Sequence, residues 1–358
     1  MSTNSEMRDD RIGHASDVEK YASIVSSKMM LELKTVLDKM IDNIASADDL
    51  SKDRLTSLMS DVQRVYDEGI AGIKVSLEQE MAAQASYEAE KAYKDLSSGA
   101  PASTNLSMAS DSLVWTAIME TPVDRGYIFD EILKNFEANT LGRITAAIRQ
   151  SVIEGDSIQT LVEKLRGTYG KGGILETERD EQGRIVTIIP SANGEFVSIY
   201  KSIDRIARTA VLHVMNTAAA VTYHSNAEVL EGITSLATLD EVTCEECGAL
   251  DGTVWPIGDS HPVPPYHYNC RCTISPVVKS WRDLGYSDDE LTDAEKEALD
   301  GQPSGKISYE EWLGKQSVEK QNDALGPGRA ELFRSGMALE DMSDKGRRLT
   351  LEELRAKK

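Results

Sequence analysis

From Asp17 to Ala45 apolar side chains recur at three- and four-residue spacing, at Val18, Tyr21, Val25, Met29, Leu33, Val36, Leu37, Met40 and Ile44. That period lays one stripe along one face of a helix. Residues 46–51 break the pattern and supply N-cap side chains for a second run. It passes through Leu55, Leu58, Val62, Val65, Ile73, Leu77, Met81 and Tyr93, with Gly69 and Gly72 as weak points. Two amphipathic helices of this kind can pack on each other or on the rest of the fold. The stripe is narrow and the outer faces are acidic, so residues 1–100 also read as an elongated helical arm that binds a partner.

Residues 97–104, rich in Ser, Ala, Gly and Pro, have the composition of a flexible joint. Helical patterns resume around Leu113–Ile118, Tyr127–Ile153 and Ile158–Tyr169, the last with Asp156 and Ser157 as capping candidates. A β-hairpin is predicted near 174–189, its strand-like runs flanking Asp180 to Gly183 and ended by Pro190. A helix from Tyr200 to Ser225 and a short strand from Gly232 follow. Beyond Val278 helices return, marked by capping boxes at Ser287/Glu290, Ser308/Glu311 and Thr350/Glu353. Turns are expected at 300–305 and 325–328. The expected fold is mainly α with a small β-containing (α+β) module, in four regions. These are an N-terminal helical arm (1–100), a mainly helical region with the hairpin (101–231), a Cys/His module (232–280) and a helical tail (281–358).

Charge narrows the classes of partner. The chain has 358 residues, with 39 Lys and Arg against 60 Asp and Glu, a net charge of −21. A field of that sign repels a phosphate backbone and disfavours broad binding to duplex DNA. A hydrophobic content of 40% excludes wholesale disorder. No run of eighteen apolar residues occurs, and Arg8, Asp9, Asp10 and Arg11 interrupt the first thirty residues. Neither a membrane span nor a secretory signal is therefore expected.

The four cysteines change the picture most. Cys244, Cys247, Cys270 and Cys272 all fall in one short stretch, which in a reducing compartment reads as metal-binding before disulfide. The series is Cys244-x-x-Cys247, nineteen residues, then His267-x-x-Cys270-x-Cys272. A Cys-x-x-Cys turn converges two thiolates without straining the backbone, and a second pair from a distant loop completes a tetrahedron suited to Zn²⁺. The expected cofactor is one structural zinc held by Cys244, Cys247, His267 and either Cys270 or Cys272. Five soft ligands leave no obvious place for a catalytic water, and no catalytic constellation is evident. The ion would staple a loop-rich segment containing Pro256, Pro262, Pro264 and Pro265. Asp240, Glu241, Glu245, Glu246, Asp251 and Asp259 surround the first knuckle and make it hostile to phosphate. His14, His213, His224 and His261 read as surface or capping histidines.

The segments Asp240-x-x-Thr243-Cys244-x-x-Cys247-x-x-Leu250-Asp251-Gly252 and Pro264-Pro265-x-His267-x-Asn269-Cys270-Arg271-Cys272 resemble the phage Mu protein F-like family of minor head, or head-morphogenesis, proteins. Ile206-Ala207-Arg208-Thr209 resembles that family's I-A-R-T-E helix, with Ala210 where Glu is usual. The tail around 308–316, 325–336 and 349–354 is similar too. The resemblance implies a virion protein of a tailed phage or prophage, made in the host cytoplasm and present in few copies. It would lie inside the head near the portal vertex and assist procapsid assembly, DNA packaging or ejection. The portal protein is the implied partner, with major capsid or scaffold protein and a weak contact with packaged DNA beside it, and no membrane.

Two other classes compete: a metal-dependent hydrolase or toxin-like enzyme, and a DNA-binding regulator built on a zinc module. The charge arithmetic separates the last. Affinity for duplex DNA, measured by fluorescence anisotropy across a salt series, should be weak or absent at physiological ionic strength.

Overall fold

A computed structural model describes residues 4–47, 50–101, 104–123, 126–166, 175–179, 185–190, 194–280, 282–285, 308–344 and 347–357. The chain is mainly helical. In order, the elements are α1 (Asn4–Ala45), α2 (Lys52–Gly99), α3 (Asp111–Glu120), α4 (Phe129–Glu154), α5 (Ile158–Arg166), β1 (Leu175–Arg179), β2 (Ile185–Pro190), α6 (Glu195–His224) and β3 (Leu230–Leu236). Then come α7 (Glu245–Leu250), β4 (Val254–Pro256), β5 (Thr273–Val278), α8 (Tyr309–Gly314), α9 (Val318–Leu325), α10 (Pro327–Arg334), β6 (Ser343–Asp344), β7 (Arg347–Arg348) and α11 (Leu351–Lys357). Among the described residues no helix is long and apolar enough to cross a membrane.

The chain divides into two compact units, and α1, α2 and α6 contribute a stretch to each. One unit comprises Glu19–Gln84 and Met119–Val211. Here α1 and α2 run antiparallel: Tyr21 donates to Glu80 (2.8 Å), Lys28 pairs with Glu80 (2.6 Å) and Ser76 donates to Glu32 (2.8 Å). The stripe foreseen on α1 is buried, Met29, Leu33, Leu37, Met40 and Ile44 being fully inaccessible. It is thus spent on packing within this chain. Tyr66 of α2 donates to the Glu137 carbonyl of α4, and Arg166 at the end of α5 pairs with Asp38 of α1 (3.2 Å). Ser157 caps α5 by accepting from the Thr160 amide (3.1 Å), as expected. β1 and β2 pair antiparallel where the hairpin was predicted; the expected turn at 180–183 lies outside the described residues.

The other unit comprises Met1–Val18, Ala85–Ile118 and Leu212–Lys358. Its sheet has the antiparallel order β4-β3-β5. Ile233 and Ile274 turn inward against Met7 of α1, Ala92 and Leu96 of α2, and Ala219 and Tyr223 of α6. Helix α1 begins well before Asp17, where the apolar pattern starts. Met7, Ala15 and Val18 continue the stripe, but one of its positions is Arg11, which hides the period. Arg11 is fully buried: its guanidinium donates to the Ile274 carbonyl (3.2 Å) and Thr273 (3.5 Å) of β5 and lies 3.8 Å from Asp95 of α2. Asn4 brackets the end of the same strand, accepting from the Val278 amide (2.9 Å) and donating to its carbonyl (3.2 Å).

The joint expected at residues 97–104 begins instead as helix, since α2 runs to Gly99 and Ala100 is buried. Burial of Leu96 and Ala100 outweighs the weak helical propensity of Ser and Gly there. In the tail, α8 and α11 open on the capping boxes Ser308/Glu311 and Thr350/Glu353. The box at Ser287/Glu290 and the turn at 300–305 lie outside the described residues. Tyr309, Leu313, Leu325, Leu332, Leu339 and Leu354 share a separate small core.

Gly69 and Gly72, similar in sequence, differ in surroundings. A Cβ on Gly69 would stand 2.4 Å from Cγ2 of Val36, whereas one on exposed Gly72 meets nothing within 4 Å. Gly72→Ala should stabilise the protein by about 0.5–1 kcal/mol through helix propensity alone. Gly69→Ala sets that gain against an overpacking cost of about 1–3 kcal/mol and should lower the melting temperature. Thermal unfolding of the two variants beside the parent checks both signs.

Candidate metal centre

The site is built from the ends of short elements because the sequence between β3 and β5 has little apolar side chain to bury. Its inner cluster consists of Ala237, Cys247, Cys270 and Cys272, with Cys244 and Tyr266 partly buried against it. Cys244 is the N-cap of α7, and its sulfur accepts from the Cys247 amide (3.5 Å). One helical turn thereby sets the two sulfurs side by side. The second knuckle turns at Asn269, whose φ of 58° is left-handed, and the Cys270 amide donates to the His267 carbonyl (3.1 Å). Asparagine enters that region more readily than other non-glycine residues, which gives the Asn of the motif a physical reason.

All five sequence-predicted ligands come together. Nε2 of His267 lies 3.1 Å from Sγ of both Cys244 and Cys247, and Sγ of Cys247 lies 3.7 Å from Sγ of Cys270. Two triads result, Cys244/Cys247/His267 and Cys247/Cys270/Cys272, each with ligand atoms within 4.8 Å of one another and with Cys247 in both. All four cysteines are free thiols. A cavity of about 20 Å³ among these side chains is enough for one small ion or water. The sulfur–sulfur distance matches the edge of a tetrahedral zinc–thiolate site, about 3.8 Å for bonds near 2.3 Å. The sulfur–nitrogen distances are hydrogen-bond lengths and would open by a few tenths of an ångström around an ion. The cluster could therefore hold a metal.

Its electrostatics point the same way. Hydrogen bonding with Cys247 and His267, working against burial, holds the Cys244 thiol down at about 4. The Cys244 thiolate in turn lifts His267 to about 10, and hydrogen bonding with Cys244 and Cys270 pushes the Cys247 thiol up. Without metal the first triad is thus a thiolate beside an imidazolium. A divalent ion would displace the imidazole proton and take its place as the positive charge. Nδ1 of His267 donates to the Tyr268 carbonyl (2.8 Å), the outer hydrogen bond that aims Nε2 at the sulfurs.

The acidic residues around the first knuckle do structural work that the spacing did not reveal. Asp240 takes both ends of the Arg271 guanidinium at 2.6 Å and accepts from the Val242 (3.0 Å) and Thr243 (3.1 Å) amides. Burial would raise its carboxyl, but Arg271, the Val242 amide and the Thr243 hydroxyl outweigh it and hold the group below its ordinary value. The two knuckles are clasped by charge as well as by sulfur. Asp251 accepts from the amides of Ala237 (2.8 Å) and Tyr309 (2.8 Å), and burial raises its carboxyl despite both bonds. Gly252 takes a φ of 75° as its amide donates to Ser235 (2.8 Å), returning the chain to β4.

The tail is seated on this module. A Cβ on Gly248 would lie 2.1 Å from the ring of Tyr309, whose hydroxyl donates to the Thr243 carbonyl (2.8 Å). Buried Glu245 of α7 pairs with Arg329 of α10 (3.2 Å). From α6, Asn216 donates to the Cys272 carbonyl (3.1 Å). Of the histidines read as surface or capping groups, His213 is instead fully buried, bonded through Nε2 to the Ile118 carbonyl (2.8 Å) and pushed down to about 4 by burial. His14 pairs with buried Glu88 at 2.7 Å. His213 is thus a core group of α6, while His14 is partly buried where it meets Glu88.

The knuckle geometry predicts opposite behaviour for two substitutions at one position. Asn269→Gly, which suits the left-handed backbone, should be the more stable of the two, whereas Asn269→Val should lose a further amount of about 1–2 kcal/mol, the cost of forcing a β-branched residue there. Chemical denaturation of both variants, in buffer containing zinc, checks the difference.

Neither a curated protein nor a solved structure matches the chain. Residues 142–275, a span from within α4 into β5 that includes the five clustered Cys and His residues, match the family described as Phage Mu protein F like protein. This stretch of the chain, Cys/His cluster included, is similar to the phage Mu protein F-like family.

Proposed function

We propose that the protein is a minor head, or head-morphogenesis, protein of a tailed bacteriophage or prophage. In this reading it acts as a structural component, not an enzyme. It associates with the portal vertex inside the head and assists procapsid assembly, DNA packaging or ejection. The observation that carries the reading is the Mu F-like match over residues 142–275, with both cysteine knuckles inside it. The net charge of −21 supports protein partners, portal first and capsid or scaffold second, over a broad DNA surface.

The same reading gives the cluster one structural zinc, held by Cys244, Cys247, His267 and, of the two remaining thiols, Cys270. The 3.7 Å approach of Cys270 to Cys247 favours it over Cys272. The ion would supply cohesion where the inner cluster offers a single apolar residue, Ala237. It would fix Tyr266, Asp240 and Arg271 in a rigid base for the tail.

Elemental analysis of freshly purified full-length protein should give one zinc per chain. Cys247→Ser and Cys270→Ser should lose it and melt lower, while Cys272→Ser keeps it. Absence of stoichiometric metal from the parent refutes the zinc assignment. For the assembly role, the full chain co-expressed with the portal protein of the same phage or prophage should co-purify with portal rings. Failure of the two to associate, in lysate and in assembled heads, refutes the portal assignment.

A further inference from the structure

Two histidines outside the cysteine cluster meet nitrogen to nitrogen at a distance that suits a hydrogen bond and also a shared ion. His224 ends α6 and is exposed; His261 lies in the loop between β4 and β5. Their Nε2 atoms are 3.2 Å apart, with ring centroids at 5.4 Å and planes within 19°. Two imidazoles on one divalent ion, at metal–nitrogen distances of about 2.0–2.1 Å, place their nitrogens about 2.9 Å apart at a right angle and about 3.3 Å at the tetrahedral angle. The observed separation lies between these limits.

The surroundings supply a second, independent sign. Nδ1 of His261 bonds to the Pro262 carbonyl (3.2 Å), which places the ring proton on Nδ1 and leaves the Nε2 lone pair pointing at His224. Trp255 of β4 also stacks on His261, centroids 5.4 Å apart and planes within 17°, and fixes the ring without using either nitrogen. The other three histidines are engaged elsewhere: His14 with Glu88, His213 in the core and His267 among the thiols.

We propose that His224 and His261 form a second metal site, at the surface, that takes a borderline divalent transition ion (Ni²⁺, Cu²⁺ or Zn²⁺) through both Nε2 atoms and leaves its remaining positions to water. The site is independent of the zinc reading of the cysteine cluster, with which it shares no ligand.

The probe is Ni²⁺, titrated by calorimetry into full-length protein already given one equivalent of Zn²⁺. Tryptophan fluorescence, quenched when the paramagnetic ion sits beside Trp255, is followed in parallel. The parent should bind one Ni²⁺ with quenching. His224→Ala and His261→Ala should each weaken that binding tenfold or more, while His14→Ala leaves it unchanged. Trp255→Phe should bind Ni²⁺ but lose the quenching. The parent-minus-variant difference holds whatever ion the cysteines carry, and circular dichroism checks that each variant is folded. Ni²⁺ binding that is absent from the parent, or as tight in the two alanine variants, overturns the proposal.

Discussion

A segment with little apolar side chain must still be held in one shape, and here the solution is convergence of sulfur. Between the end of β3 and the start of β5 the chain makes two sharp turns rich in Pro, Gly and acidic residues. What lies at the centre is four thiols and an imidazole, not a set of aliphatic side chains. Such a cluster has a cost of its own, since close thiolates repel unless a proton or a cation sits among them. The module is therefore only as firm as whatever neutralises its sulfurs. The Asp240–Arg271 clasp, the Asp251 amide bonds and the seating of Tyr309 all depend on the two turns staying where the cluster puts them.

The motif of the matched family becomes physically legible once the contacts are known. Its first Asp is the partner of the Arg between the last two cysteines and its Thr carbonyl receives Tyr309, while Gly248, at a position the motif leaves open, makes room for that ring. The Asp-Gly that closes it combines two amide bonds with a left-handed turn. The cysteines and the histidine in this string are the groups that could hold an ion; the other residues named here frame them.

Much of this was open to reading from the sequence and some was not, for identifiable reasons. Long apolar periods gave α1 and α2, and the capping boxes at Ser308 and Thr350 gave helix starts, because those signals are local. The five Cys and His residues that cluster were picked out by spacing alone. The start of α1 was missed because Arg11 holds a core position, and a pattern of apolar residues cannot count a buried guanidinium. The acidic residues were taken for a repelling face because their partners, Arg271, Arg329 and the backbone amides of Ala237 and Tyr309, lie elsewhere in the chain. His213 was misplaced for a similar reason: the Ile118 carbonyl that satisfies it is 95 residues away.

The bracket that α1 places on β5 has a further consequence. β5 closes one side of its sheet, and a terminal strand of this kind ordinarily invites a foreign strand to add to it. Asn4 occupies both backbone groups of Val278, and Arg11 occupies the carbonyl of Ile274. Uncontrolled polymerisation through that border would first have to peel the beginning of the chain away from it. The N-terminus thus acts as a guard rail for a sheet formed more than two hundred residues later.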